Sequence, residues 1–171
     1  MSLLTPMLRS SPLTDWFSDA QRVQGMLDFE AALAQAQAAC GMVPPEAVGP
    51  IVAACRHEAI DFAALGEAAV GAGNLAIPLV KQLTAQVKAQ DPEAARYVHW
   101  GATSQDAIDT GLVLQLRGAL DAAETLLEQL LAALALQADR YRDTVMPGRT
   151  WMQHALPVTF GLKLAGTLDA L

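Results

Sequence analysis

Residues 104–143 read SQDAIDTGLVLQLRGALDAAETLLEQLLAALALQADRYRD, a run that contains no proline and whose only glycines are Gly111 and Gly118. The apolar residues in this run recur at intervals of three, four or seven, which is typical of one continuous helix face. That face consists of Ile108, Leu112, Leu116, Leu120, Leu127, Leu131, Leu134, Ala138 and Tyr141. The sequence therefore predicts a single helix of about forty residues, roughly 60 Å long.

A helix of this length is too long for a compact protein of this size. The chain has 171 residues, and a globule of that length has a radius of gyration of only about 15 Å. The apolar face must then extend beyond the globule. We expect it to be covered by later helices of a longer polypeptide, by other subunits, or by both.

The other segments also have helical periodicity, and no stretch alternates as a strand does, so the sequence predicts an all-α fold. Four earlier helices are expected to begin at Ser18, Pro44, Asp61 and Pro78 and to end near Gly41, Arg56, Val70 and Ala89. A last helix is expected to open at Pro157, after an irregular polar segment, and to be still helical in pattern at Leu171. We expect an N-terminal helical domain over residues 1–103 and, over residues 104–171, the first long helices of a bundle, cut in mid-helix.

Composition excludes several classes of partner. The formal net charge is −7 and no run of Lys or Arg could follow a phosphate backbone, which argues against nucleic acid. Residues 1–6 lack the pattern of a secretory signal, and the longest apolar run, residues 126–136, is too short for a bilayer. We expect a cytoplasmic protein with no membrane partner. Cys40 and Cys55 stand apart from other metal-binding residues and are expected to be buried free thiols.

The first polar segment, residues 99–106, reads HWGATSQD and places an imidazole, two hydroxyls, an amide and a carboxylate where the long helix begins. We expect Ser104 to be the N-cap and Asp106 to offset the helix dipole. The free N–H groups of the first turn, with the hydroxyls of Thr103 and Ser104, could then bind a carboxylate or phosphate. The alternative is that Ser104 and Asp106 only cap the helix.

The second polar segment, residues 148–155, reads GRTWMQHA and repeats this chemistry just before a helix. The two segments lie at opposite ends of the long helix, roughly 60 Å apart if that helix is straight. They cannot form one site within one chain. A site that used both would have to be assembled between subunits whose long helices run antiparallel.

Both segments resemble signatures of the fumarase/aspartase superfamily. The pattern HxGxTSxDxxxT at residues 99–110 resembles its first signature, and GRTxxQxAxPxTxG at residues 148–161 resembles its second. The resemblance implies homotetramers with a central bundle of long helices and active sites built from three subunits. It also implies enzymes without a cofactor that form or break a bond beta to a carboxylate, through a carbanion stabilised as an aci-carboxylate.

Within the superfamily the chain is most similar to the bacterial 3-carboxy-cis,cis-muconate cycloisomerase family, for example over QGMLDFEAALA at residues 24–34 and TGLVLQLR at residues 110–117. This resemblance implies lactonisation of a small tricarboxylate substrate in the protocatechuate, or beta-ketoadipate, branch of aromatic degradation. An adenylosuccinate-lyase-like β-elimination is the alternative. Two departures argue against it, because Trp151 stands where most superfamily members have a proton-transferring His and Asn74 stands where adenylosuccinate lyases have another.

Thr103 and Ser104 are the best candidates for binding a substrate carboxylate, both as a helix N-terminus and by the resemblance. His99 either hydrogen-bonds the substrate or supports the loop. An indole has no usable basic nitrogen, so His154 becomes the candidate general acid–base in the second segment. The full set expected to contact substrate is His99, Thr103, Ser104, Thr150, Trp151, Gln153, Asn74 and Lys81, with no metal and no cofactor.

Two of these candidates have a structural alternative. Thr150 and Gln153 would bind a second carboxylate, or they would only stabilise the turn before Pro157. Lys81 would neutralise a carboxylate from a neighbouring subunit, or it would be a solvated helix lysine.

The third signature of the superfamily, a loop of pattern SSxMPxKxNP whose Ser is the usual catalytic base, does not occur in these residues. We therefore expect this chain alone to be inactive and a longer parent to be the enzyme. The competing class is a non-enzymatic helical assembly module. Such a module would explain the long apolar face but not the two polar segments.

Overall fold

A computed structural model describes residues 11–171 of the chain. The expectation about a secretory signal concerns residues 1–6 and lies outside the described residues. The described elements are α1 (Asp19–Ala39), α2 (Pro45–Ala54), α3 (Phe62–Ala72), α4 (Ala76–Gln90), α5 (Ser104–Arg140), β1 (Val145–Thr150), β2 (Gln153–Thr159) and α6 (Phe160–Asp169). Short 3-10 turns lie at Thr14–Phe17, His57–Ala59 and Ala94–Tyr97. The all-α fold class is confirmed.

Local capping signals fix the ends of the first helices. The Ser18 hydroxyl accepts the Gln21 N–H at 3.3 Å and opens α1, as predicted. The Asp61 carboxylate accepts the Ala64 N–H at 3.0 Å and opens α3. Gly41 and Gly73 have φ of +72° and +76°, the left-handed conformation that ends a helix at low cost for glycine. Short polar side chains and glycines therefore mark these boundaries locally.

The fourth helix begins earlier than expected. It starts at Ala76, two residues before Pro78, because the Asn74 carboxamide oxygen accepts the Ile77 N–H at 3.1 Å. Pro78 then lies in the first helical turn, where a missing N–H costs nothing. The helix therefore begins just after Asn74, with Leu75 as its N-cap.

Two compact units divide the chain, one ending at Ala119 and the other running from Leu120 to Leu171. The first unit has a core of large aliphatic side chains from α1, α2, α4 and the loop after α1. The most completely buried of them are Leu27, Ile51, Leu79, Leu83, Val43 and Val87. Their packing holds α1, α2 and α4 together and fixes the positions of the polar side chains that these helices carry.

The long helix is continuous from Ser104 to Arg140, as the apolar repeat predicts. Its 37 residues rise about 55 Å at 1.5 Å per residue. Large side chains of the predicted face remain exposed, among them Leu116 and Leu120, with 40% and 65% of their surface accessible. The rest of the described chain therefore leaves these two side chains substantially uncovered.

The second unit contains the one clear departure from the predicted elements. Strands β1 and β2 pair antiparallel through a two-residue turn at Trp151 and Met152, and the last helix begins at Phe160 and not at Pro157. The expectation that no stretch forms a strand is therefore wrong. Nearly all residues of both strands are exposed, so neither strand has the apolar alternation by which a half-buried strand is recognised.

Glycine and proline positions explain how this hairpin forms. Pro147 pairs with Pro157, which a two-stranded sheet tolerates because both of its strands are edges. Opposite Gly148 the register shifts by one residue, and a Cβ at Gly148 would lie 2.5 Å from the Leu156 carbonyl oxygen. Gly148 thus marks a β-bulge.

The two cysteines differ. Cys55 is buried, as expected, and burial together with the nearby Glu30 and Asp28 carboxylates raises the pKa of its thiol to about 12. Cys40 is exposed, which contradicts the expectation, because it follows the last turn of α1 where the chain leaves the core. Among the helices of residues 11–171, none combines the length and apolarity needed to cross a bilayer.

Candidate functional site

Four of the predicted site residues lie in one cleft of the first unit. The cleft has a volume of about 430 Å³ and lies between the start of α4 and the loop that leads into α5. Its lining consists of Ala76, Ile77, Val80, Lys81, His99, Ala102, Thr103 and Ser104. The structure therefore brings an ammonium group, an imidazole and two hydroxyls together at a helix N-terminus.

The start of α5 is capped by a reciprocal pair of hydrogen bonds. The Thr103 N–H donates to the Asp106 carboxylate at 2.9 Å, and the Asp106 N–H donates to the Thr103 carbonyl at 3.1 Å. The N-cap is therefore Thr103, and the prediction that Ser104 is the N-cap is wrong by one residue. The Asp106 carboxylate, three residues after Thr103, supplies one half of a capping box there.

This cap leaves donors free for a ligand. In the part of the chain that the structure describes, the Ser104 hydroxyl and the N–H groups of Ser104 and Gln105 have no hydrogen-bond partner. These N–H groups carry the positive end of the α5 dipole. Since Asp106 supplies the cap, the Ser104 hydroxyl is available to a carboxylate instead.

The loop before α5 is held in an unusual conformation. His99 and Gly101 both have positive φ, +57° and +69°, and the first of these is costly for a residue with a side chain. The Gln37 carboxamide N–H donates to the Trp100 carbonyl at 2.6 Å, and the Tyr97 and Trp100 rings pack 5.9 Å apart. Contacts with α1 thus keep the loop in the shape that turns His99 toward the cleft.

Glu30 is a site residue that the sequence analysis missed. Its carboxylate lies 2.6 Å from Nδ1 of His99, and only 2% of the Glu30 side chain is exposed. Burial raises the pKa of Glu30, and the hydrogen bond and charge of His99 oppose that rise in part. A signal was present in the sequence, because Glu30 is a carboxylate on the α1 face that also carries Met26, Leu27 and Ala34.

Asn74 lies apart from this cleft. It lines a second cavity of about 300 Å³ together with Arg22, Met26 and Gln115. Its carboxamide oxygen is used by the Ile77 N–H, so the amide NH₂ is the group left for a ligand. The structure does not bring Asn74 into the cleft that contains Lys81 and His99.

The hairpin of the second unit presents the other predicted residues to solvent. Thr150 pairs with Gln153 and Arg149 pairs with His154, so the first pair lies on one face and the second on the opposite face. Between them Trp151 forms the tip of the turn, with 88% of its surface accessible. The structure therefore brings Thr150 and Gln153 together and directs His154 away from them.

Metal-binding residue types do not gather in the described chain. Across residues 11–171, no group of three or more His, Cys, Asp or Glu side chains is placed so that it could hold one ion.

Comparison with known proteins gives a consistent result. Residues 8–171 match the model of a protein family described as lyase. The chain is 62% identical over 162 residues to the 3-carboxy-cis,cis-muconate cycloisomerase of Pseudomonas aeruginosa. The aligned region covers 95% of this chain and 35% of that protein. The chain thus spans about a third of the length of this curated relative.

Solved structures agree in sequence and in fold. The 3-carboxy-cis,cis-muconate lactonizing enzyme of Pseudomonas putida matches with a TM-score of 0.96 and 55% identity, over 99% of this chain and 39% of the other. The beta-carboxy-cis,cis-muconate cycloisomerase of Acinetobacter calcoaceticus matches with a TM-score of 0.95 and 49% identity, over 98% of this chain and 39% of the other.

Proposed function

The chain belongs to the lyase family, and on that basis we propose that the complete polypeptide lactonises 3-carboxy-cis,cis-muconate. One carboxylate oxygen of the substrate adds across a conjugated double bond, and the adjacent carbon takes up a proton. The product is an isomer of the substrate, so the reaction needs no oxidant or second reactant. The observation that carries the proposal is the cleft that joins Lys81, His99, Thr103 and Ser104 at the start of α5. The resemblance to the cycloisomerase family, inferred from the signature motifs, is confirmed by the 62% identity to such an enzyme.

The cleft suits one carboxylate of a tricarboxylate substrate. The free N–H groups of Ser104 and Gln105 and the hydroxyls of Thr103 and Ser104 are donors, and a carboxylate accepts several hydrogen bonds at once. Lys81, at the rim of the same cleft, adds a full positive charge. These groups would strengthen their hold as the carboxylate next to the forming carbanion gains negative charge, which is the condition for lowering the barrier.

The hairpin would supply the second part of the site. We propose that Thr150 and Gln153, with Trp151 at the turn, bind another substrate carboxylate, and that His154 transfers the proton. Thr150 and Gln153 lie on one face of the hairpin, and His154 lies on the other. One active site would therefore use Thr150 and Gln153 from one copy of the chain and His154 from another. Four copies in a homotetramer, with long helices packed together, would meet this requirement.

The remaining assignments follow from the same proposal. The exposed apolar face of α5 would form the centre of the homotetramer. Residues 1–103 would form an N-terminal helical domain, and residues 104–171 would begin the bundle domain. Asn74 would reach the substrate through its amide NH₂ group. The enzyme would act in the cytoplasm without a metal or cofactor.

An absorbance assay tests the function directly. The complete polypeptide, incubated with 3-carboxy-cis,cis-muconate, should remove the absorbance of the conjugated diene, and proton spectra of the product should show a carboxymuconolactone. Adenylosuccinate is the matched control substrate and should not be consumed. Turnover of adenylosuccinate, or no loss of diene absorbance, would overturn the lactonising assignment.

A further inference from the structure

Glu30 is the most deeply buried carboxylate of the described residues, and it contacts His99, which lines the cleft. One of its oxygens lies 2.6 Å from Nδ1 of His99, while the other is buried and has no partner in the described part of the chain. Burying a carboxylate oxygen that has no hydrogen-bond partner costs free energy, so the carboxylate at this position calls for an explanation.

The geometry decides which atom of His99 is left for a ligand. With Nδ1 occupied by Glu30, the ring can offer only Nε2 to the cleft that it lines. Two protonation states of the pair are possible. If the pair is neutral overall, Nε2 carries a proton and donates, and if the pair has a net charge of −1, Nε2 is a bare acceptor.

Burial favours the neutral state. A net negative pair whose carboxylate is only 2% exposed has a larger desolvation penalty than a neutral pair. Lys81 and the N-terminus of α5 attract anions to this cleft, and a carboxylate bound there favours a protonated Nε2. A donating Nε2 is complementary to a substrate carboxylate.

Tethering alone does not explain a carboxylate at this position. Two helical turns further along α1, Gln37 holds the same loop by donating its amide N–H to the Trp100 carbonyl at 2.6 Å. A neutral amide is therefore sufficient to fasten this loop to α1. The charge at Glu30 calls for a second reason.

We propose that Glu30 is a positioning residue that holds His99 with a protonated Nε2 directed into the cleft, where it donates to a substrate carboxylate. Glu30 itself does not touch substrate, and its effect passes through His99. The inference rests on the proposed function, because it names a donor for the substrate of that reaction.

Steady-state kinetics of the complete polypeptide test the coupling. Glu30→Gln keeps the shape and removes the charge, so KM for 3-carboxy-cis,cis-muconate should rise about tenfold, as expected for loss of a charge-assisted donor, with a much smaller change in kcat. In a His99→Asn background the same substitution should change KM by less than about twofold, because the residue through which Glu30 acts is gone. Asp28→Asn, an exposed carboxylate on the same helix, is the matched control and should leave KM unchanged. An unchanged KM in Glu30→Gln, or equal rises with and without His99, would overturn the proposal.

A spectroscopic measurement separates this inference from the proposed function. In protein labelled with nitrogen-15 histidine, His99 signals are identified by their loss in His99→Asn. Both ring nitrogens of His99 should carry protons, and the Nδ1 proton should resonate far downfield, as expected for a short bond to a carboxylate. That proton should move upfield in Glu30→Gln but not in Asp28→Asn. If the muconate is not turned over but this signature is present, the function fails and the Glu30–His99 pairing stands. If turnover is normal and Glu30→Gln leaves the His99 signals unchanged, the inference fails alone.

Discussion

Gly25 and Gly111 lie against each other where α1 crosses α5, and a methyl group at Gly25 would lie 2.8 Å from the carbonyl oxygen of Gly111. The reverse substitution is equally tight, because a methyl group at Gly111 would lie 2.9 Å from the Met26 backbone nitrogen. Two backbones therefore touch without side chains between them. This contact sets the distance of the start of α5 from the helix that carries Glu30.

Gly25→Ala should destabilise the protein by about 1–3 kcal/mol, because overpacking forces the two backbones apart. Urea denaturation of the complete polypeptide measures this loss. Gly66→Ala is the matched control, since Gly66 lies in α3 with open space around it. That control should gain about 0.5–1 kcal/mol from a better helix residue. Equal stability of Gly25→Ala and the parent would show that the crossing is looser than described.

Ser104→Ala should raise KM about tenfold, because the hydroxyl that it removes is free for a substrate carboxylate. Stability should change little, since the cap is made by Thr103 and Asp106. Ser18→Ala provides the contrast, because Ser18 is a true N-cap. It should lose about 1 kcal/mol of stability with KM unchanged. If Ser104→Ala lost stability and kept its KM, Ser104 would be structural.

The stability of the protein relative to Glu30→Gln should depend on pH. Burial raises the pKa of Glu30 above its ordinary value of 4.5, so the folded state binds more protons than the unfolded state between the two values. The contribution of Glu30 is therefore fully present below pH 4.5 and is lost as pH rises through the raised pKa. Thermal melts of both proteins across this range measure the difference. A relative stability that increased with pH would mean that His99 outweighs burial.

His154→Ala should lower kcat by about 100-fold if His154 transfers the proton, with a smaller effect on KM. The measurement is single-turnover loss of diene absorbance. His57→Gln serves as a control because the His57 ring contacts Gln24 and Glu58 in the first unit and lies outside the candidate site. A kcat within about threefold of the parent in His154→Ala would move proton transfer to another residue.

The two thiols should react differently with iodoacetamide at neutral pH. Cys40 is exposed and should be alkylated, whereas Cys55 is buried with a pKa raised to about 12 and should stay unmodified until the protein unfolds. Mass spectrometry of digested protein reports each site. Rapid modification of Cys55 in the folded protein would contradict the burial described here.

Local sequence signals, the caps and the apolar repeat, predict most of the helices. The continuous α5 and the openings of α1 and α3 at Ser18 and Asp61 were predictable because caps and apolar repeats act within a few residues of each other. The hairpin was not predictable in this way. Its strands are exposed on both faces, and Gly148 signals a bulge only once Leu156 is known to lie opposite.

The candidate site also contains residues that the sequence predicts and one that it does not. Thr103 and Ser104 were predictable because the helix N-terminus and its donors are adjacent in sequence. Glu30 lies 69 residues before His99, and only the packing of α1 against the loop joins them. A sequence can mark a carboxylate on an apolar face as unusual, but the partner that explains it comes from the tertiary fold.

The two-residue turn at Trp151 and Met152 makes the length of the hairpin matter more than the identity of its tip. A strand repeats every two residues, so one residue inserted between Met152 and Gln153, with a two-residue turn kept, would pair Gln153 with Arg149 in place of Thr150. Thr150 and Gln153 would then lie on opposite faces of the hairpin. A substitution of Trp151 leaves this pairing in place, whereas a change in the length of the turn separates Thr150 from Gln153.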